Sequence, residues 1–416
     1  MIAPCCCEES LGAFHDTVMK IGDLSVDNGE RVMMFDAGLE DELVIRGGLC
    51  LLPGEGFVPA DVVCHKGRIA ALRPHGAAEG RILEAQGCLV LPGLVDIHGD
   101  AFERQILPRP KTPFPLDIAM LETDRQLAAN GITTAYHGIT VSWEPGLRSL
   151  AEAMKIIAAL DALEDHFLID HRIHVRWETF ALDGMADVQA LFAREKKPLL
   201  AFNDHTTPTL RGTRADNKIK SSAERAMVDS ATYMRLLNEA GEREQDVPGA
   251  IRAMADAAAA HGVAMLSHDD TTAELRAAFR AIGATIAEFP MNRETLHAAA
   301  DAGDAIVLGA PNVVRGGSHN GAIGAEDAIR EAKCSVLASD YYYPAMLQAV
   351  LAMDTRGSLG LEQGTKLISS GPAEACGLHD RGVIAEGQRA DLVIVPEHGT
   401  RPVATISAGR AVFRSA

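Results

Sequence analysis

The sequence predicts an α/β protein: a closed (β/α)8 barrel of the TIM type, with a small β domain built from both chain ends. Three observations carry this reading. Strand-like and helix-like segments alternate from about residue 92 to about residue 375, which implies a parallel sheet covered by helices. About eight strands can be counted there, and that number favours a closed barrel over an open sheet. The flanking segments share another texture, short apolar runs punctuated by Gly and Pro, as in the strands of a separate β unit.

Taken in order, residues 1–40 show no convincing period and are read as an N-terminal extension without assigned order. Its Cys5-Cys6-Cys7 run is read as part of an unstructured tail in preference to a metal site. Residues 41–91 together with 376–416 form the β domain, with strands expected at 42–48, 60–72, 390–396 and 403–413. Residues 92–375 form the barrel. Its strands are expected at 95–100, 133–137, 173–178, 199–203, 264–267, 305–309 and 335–338. Helices are expected at 115–130, 147–164, 183–195, 222–240, 247–261, 271–282 and 293–302. A strand followed by Gly-x-Gly-x-x-Gly or by a phosphate-loop lysine is not found, so dinucleotide-binding and Walker-type readings lack support.

Composition narrows the function. The 416 residues exceed one small domain, and 47% hydrophobic content supplies a large core. A net charge of -18 argues against nucleic acid or an anionic membrane as partner. It leaves a small anionic substrate open, because a local Arg cluster or a metal pair can reverse the field inside one cleft. The eight cysteines show neither zinc-ribbon spacing nor a compact disulfide framework. Cys64, Cys88 and Cys334 lie in apolar runs and are read as buried thiols. No apolar run reaches membrane-spanning length, and the start of the chain lacks the order of a secretory signal. The expectation is a cytoplasmic enzyme, with homo-oligomerisation left open.

In a parallel barrel all strand C-termini open on one face, so residues distant in sequence converge there. Five segments are apolar runs ending in metal-type ligands. His98 and Asp100 close the first, and His174, Arg176 and Glu178 share a face of the second by the period of two. His205, His268 and Asp340 end the other three. Each has a bland counterpart: a strand-end His is usually a hydrogen-bonded loop residue, and Asp269, Asp270 or Asp340 could each be only a helix N-cap. The whole order His-x-Asp, Glu, His, His, Asp is much harder to reach by coincidence. It supplies nitrogen and oxygen for two metal ions, with Glu178 placed to bridge them.

This order resembles that of the amidohydrolase superfamily, whose barrel carries a small β-sandwich made from both chain ends. More narrowly, the chain is similar to the phosphonate-metabolism branch, the diphosphatases acting on ribose methylphosphonate triphosphate. The matching segments are His98-Gly99-Asp100, Leu107-Pro108-Arg109-Pro110, Asn130-Gly131-Ile132-Thr133-Thr134, Asp204-His205-Thr206 and Ser267-His268-Asp269-Asp270-Thr271-Thr272. Two more are the stretch from Gly309 to His319 and Ser339-Asp340-Tyr341.

The resemblance implies two divalent ions, zinc first with Mn2+ or Fe2+ as alternatives. His98, Asp100 and Glu178 would hold one, and His205 and His268 the other, with Glu178 shared. Asp340 would contact a metal and act as general base toward a bridging water. Arg109, Arg315, Ser318 and His319 would bind the anionic substrate, the last three in a Gly-rich loop that lets backbone approach closely. The implied reaction cleaves a phosphoanhydride of α-D-ribose 1-methylphosphonate 5-triphosphate, or of a related substrate, with release of pyrophosphate. The alternative is an amidohydrolase opening an amide or cyclic C–N bond of an acidic small molecule; a silent scaffold would have no need of all six ligands. The chain departs from the branch at 207–218, on the active face, where substrate identity is decided.

Overall fold

The chain is described here, in a computed structural model, at residues 42–78, 80–212, 216–317, 323–331 and 333–415. It first lays down five strands: β1 (Leu43–Leu52), β2 (Gly56–His65), β3 (Arg68–Pro74), β4 (Arg81–Glu84) and β5 (Cys88–Pro92). Eight parallel strands follow: β6 (Leu94–Gly99), β7 (Ile132–Val141), β8 (Asp170–Glu178), β9 (Leu199–Asn203), β10 (Ala264–His268), β11 (Ala284–Glu288), β12 (Ala305–Gly309) and β13 (Val336–Ala338). The chain ends with β14 (Leu392–Pro396), β15 (Ala404–Ser407) and β16 (Arg410–Arg414).

Strands β6 to β13 neighbour one another in chain order, the signature of a (β/α)8 barrel. The seam between first and last strands closes at the C-terminal end. There the Asp340 N–H donates to His98 O (2.9 Å) and the Asp100 N–H to Asp340 O (3.0 Å). Lower down the two strands do not pair directly. Residues Leu367 and Ile368 run between them, accepting from Leu337 N–H (2.7 Å) and Val95 N–H (2.9 Å).

The period of two decides which side chains fill the barrel. Leu199 and Ala201 of β9 join Val95, Ile97, Tyr136, Leu266, Ile286, Val307, Val336 and Ala338 in the interior. Leu200 and Phe202 of the same strand, with Val175 and Trp177 of β8, face outward into the helix layer. There they meet Ile157 of helix Leu150–Ala162 and Met254 of helix Val247–Ala260. Trp177 and Phe202 are fully enclosed, each worth roughly 1.5–3 kcal/mol of hydrophobic stabilisation. Ser149, Asp229, Thr272 and Asn292 cap helices by accepting a backbone N–H three residues on.

The chain ends share one sheet, ordered β16-β15-β14-β5-β1-β2-β3, with β4 also on β1. β1 slips register between Ile45 and Gly48, pairing with β4 before the slip and β5 after it. Ile45, Val62 and Ile69 from one half and Leu392, Ile394 and Ile406 from the other bury into one cluster, so the sheet curls around its own core.

Several expectations need adjusting. The helix expected at 222–240 is two, Asp216–Arg225 and Ser230–Gly241, because Asp229 starts a new one as its N-cap. The helix expected at 183–195 shortens to Met185–Leu191. Strand β11 had no counterpart in the sequence reading. Cys64 is buried as expected, whereas Cys88 and Cys334 are only partly so. All five described cysteines are free thiols. Burial pushes the thiols of Cys50, Cys64 and Cys334 up to about 12. Among the described residues no helix is long and apolar enough to cross a membrane. The 1–40 extension with Cys5-Cys6-Cys7, and Ser318 and His319, lie outside the described residues.

Candidate metal centre

Strand C-termini bring His98, Asp100, Arg176, His268, Asp269 and Asp340 around one cavity of about 170 Å³. His98 reaches it through a register slip in β6 between Asp96 and Gly99. Asp96 holds the slip, accepting from the N–H groups of His98 (3.3 Å) and Ser339 (3.0 Å). Asp269, Phe289 and Asp340, each just past a barrel strand, have left-handed φ of 59°, 55° and 55°. Such backbone costs about 1–3 kcal/mol per residue and concentrates at functional sites. Each is held by the adjacent strand: the Asp269 N–H donates to Glu288 O, and the Phe289 N–H to Val307 O.

At the centre stands a residue the sequence reading missed. Glu288, at the end of β11, is fully buried and meets His98 Nδ1 through Oε1 (2.7 Å) and His268 Nδ1 through Oε2 (2.7 Å). The two imidazoles stack at 5.6 Å between centroids, 12° from parallel. Burial alone would raise the Glu288 carboxyl, but the facing histidines hold it well below the usual range. His98 shows the reverse balance: burial opposes its charge, yet Glu288 shifts it upward. The only sequence cues were Gly283 with a left-handed φ of 96° ending the preceding helix, and Pro290 just after the strand. A five-residue Ala-Thr-Ile-Ala-Glu segment offers too little apolar character to stand out.

His174, Arg176 and Glu178 are all buried, as one face of β8. His174 Nδ1 contacts Ile97 O (2.9 Å), its Nε2 has no hydrogen-bond partner, and burial drives its pKa down to about 3. The Arg176 guanidinium lies 3.2 Å from His268 Nε2 and 3.6 Å from Asp100 Oδ2. Glu178 turns toward His205. Its Oε1 accepts from the N–H groups of His205 and Thr206 (3.1 Å each) and from Thr206 Oγ1 (2.6 Å), while Oε2 lies 3.5 Å from His205 Nδ1. Asp340 is pushed up to about 6 by burial and by the neighbouring Asp100 charge.

Among the described residues, potential ligand atoms within 4.8 Å of one another form three groups: His98-His268-Glu288, His205-His268-Asp269 and His98-Asp100-Asp340. Glu178 is in none of them. Imidazole and carboxylate donors suit a divalent transition metal. The Arg176 guanidinium, a cation set between His268 and Asp100, shows that the cavity accommodates positive charge. The residues therefore fit such ions. Of the arginines expected to bind substrate, Arg315 closes helix Ala310–Arg315 and donates to Tyr341 Oη (3.3 Å). Arg109 is exposed on the loop after the first barrel strand.

The barrel, its curled companion sheet and this cluster define a hydrolase of the amidohydrolase class. The amidohydrolase family model matches residues 221–413. The chain is 31% identical over 362 residues to the alpha-D-ribose 1-methylphosphonate 5-triphosphate diphosphatase of Escherichia coli (strain K12), covering 85% of this chain and 94% of that protein. The chain belongs to the amidohydrolase family. Among solved structures, it resembles a beta-aspartyl dipeptidase from Fervidobacterium islandicum AW-1 (TM-score 0.59, 18% identity, 90% and 97% of the two chains). It also resembles the N-isopropylammelide isopropylaminohydrolase of Burkholderia multivorans (TM-score 0.58, 18% identity, 90% and 98%). At those identities the likeness concerns the fold.

Proposed function

We propose that this chain hydrolyses a phosphoanhydride of α-D-ribose 1-methylphosphonate 5-triphosphate, or of a closely related phosphorylated substrate, and releases pyrophosphate. The observation that carries the reading is the likeness to the Escherichia coli diphosphatase, which spans 94% of that protein. The site is compatible with it. His98, Asp100, His205, His268 and Asp340 would hold two divalent ions, zinc first with Mn2+ or Fe2+ as alternatives, with Glu178 contacting His205. When bound, such ions polarise a phosphoryl oxygen and lower the pKa of water.

The chain's own groups supply the rest. Asp340, poised at about 6 by burial and by Asp100, takes the proton of the attacking water and passes it to the leaving group. Arg315 and Arg109 offer guanidinium forks to the phosphates, and Ser318 and His319 are assigned to the same task. The enzyme acts in the cytoplasm on a small anionic molecule.

The test is an assay of metal-loaded protein on ribose 5-triphosphate phosphonates, against a panel of acidic amides and cyclic C–N substrates. Pyrophosphate release is expected. Ammonia or amine release without pyrophosphate would replace this reading with an amidohydrolase in the narrow sense.

A further inference from the structure

We propose that Glu288 is a positioning carboxylate that fixes His98 and His268 in one tautomer, so that cations sit at His98-Asp100-Asp340 and at His205-His268-Asp269, and not at Glu288 itself. The inference rests on the presence of divalent ions, as in the function proposed above, and goes beyond it by dividing ligands from the groups that orient them.

The argument is one of hydrogen-bond inventory. An ionised carboxylate only accepts, so each histidine facing Glu288 must donate from Nδ1; the distances are 2.7 Å on both sides. A neutral imidazole that donates from Nδ1 carries its lone pair on Nε2. His268 reports this from its other edge. A guanidinium only donates, and Arg176 Nη2 lies 3.2 Å from His268 Nε2, so that nitrogen accepts. Both ends of the ring give the same tautomer. His98 is locked at Nδ1 in the same way, and the near-parallel stacking of the two rings follows from their sharing one carboxylate.

A cation placed in the His98-His268-Glu288 group would have to displace both Nδ1 protons and break two short hydrogen bonds in a fully buried spot. The other two groups leave both Nδ1 protons in place; a cation at His268 Nε2 displaces only the longer 3.2 Å contact from Arg176. Asp269 belongs to the second of them: its Oδ2 lies 3.5 Å from His268 Nε2 and 3.9 Å from His205 Nε2, and its left-handed backbone is held by the Glu288 carbonyl. Glu178 does for His205 what Glu288 does for the other pair, engaging the ring at Nδ1 and the backbone N–H as well. Carboxylates that orient metal-binding histidines typically change metal affinity 10–100-fold when altered.

The test uses Zn2+ alone, with full-length protein. In apo wild type labelled with 15N-histidine, NMR should show His98 and His268 protonated at Nδ1 and bare at Nε2. The opposite tautomer in either ring overturns the proposal, with no variant needed. Chelator competition and metal counting should give two ions per chain for wild type and for Glu178→Gln. Glu288→Gln should still bind two at saturation, about 10–100-fold more weakly, and Asp269→Ala, which removes the oxygen donor altogether, should bind one. Loss of a whole equivalent at saturation in Glu288→Gln would make it a ligand, and unchanged affinity would make it a bystander; each outcome overturns the assignment. Two ions at wild-type affinity in Asp269→Ala would do the same. None of these readouts involves substrate, so a protein that passed them yet released no pyrophosphate would count against the proposed function alone.

Discussion

Asp340 illustrates how one residue combines several physical roles. Its backbone closes the barrel seam against His98 and Asp100, its left-handed φ turns the side chain into the cavity, and its carboxyl is raised by burial and by Asp100. Asp340→Asn keeps the shape and an oxygen donor but removes the proton acceptor. We expect this variant to retain bound metal and to lose about 10²–10⁴-fold in kcat, the usual worth of general-base catalysis. Metal counting beside steady-state kinetics checks this, and turnover at the parent rate would remove Asp340 from the base role. Four residues of this cavity, His98, Asp100, His268 and Asp340, were legible in the sequence because each closes an apolar run. Asp269 read equally well as a helix cap, yet the cap is Thr272. Glu288 was illegible because a tautomer-setting contact between strand ends 190 residues apart leaves no local pattern.

At the scale of elements, the strand starts at the opposite end of the barrel carry their own charge network. Asp170 opens β8 and meets Arg172 (2.9 Å), Lys196 (2.9 Å) and Arg381 (2.7 Å); Arg381 comes from the segment leading to β14 and also donates to Thr134 Oγ1 of β7 (2.8 Å). Burial would raise the Asp170 carboxyl, but these three cations hold it below its ordinary value. Asp170 and Arg381 are nearly enclosed, so removing the anion costs a buried charge pair and leaves Arg381 with the half-exposed Asp380 as its ion-pair partner. Asp170→Asn should therefore cost about 1.5–3 kcal/mol near neutral pH, measured by urea unfolding. The sign with pH follows from the depressed folded-state pKa. Its stabilisation is complete above the unfolded value of about 4 and fades as pH falls through the folded value. The stability gap between wild type and variant should hold from pH 7 down to about 4 and shrink in stronger acid; a gap independent of pH would show that charge is not the cause. This network was invisible from sequence, since its partners are surface-type residues with no period. The strands were visible where apolar residues alternate, as in β8, or form a continuous run, as in β9. They were missed where Ala and Thr dominate, as in β11.

At the largest scale, the barrel is a ring of strands whose most sparsely paired junction lies at the candidate metal centre. Neighbours such as β7 and β8 are paired over eight residue positions, Thr134 to Val141 against Asp170 to Trp177. The first and last strands instead meet through Asp340 at the C-terminal end, with Leu367 and Ile368 filling the gap below. That junction lies between His98, Asp100 and Asp340, the groups proposed to hold one cation, so binding there would tie the two strands through side chains where backbone pairing is sparse. A ligand that binds only the folded ring stabilises it by about 2.7 kcal/mol at 100 times its Kd, and the gain should be concentrated where its donors converge. Chelation of the metal-loaded protein should thus lower Tm and speed hydrogen exchange at the amides of Asp100 and Asp340, while the β7–β8 amides change little. Uniform acceleration across the barrel would mean that the cations stabilise the fold without bracing its seam. Protection at Asp100 and Asp340 that survives chelation would mean that Leu367, Ile368 and the backbone bonds close the ring unaided.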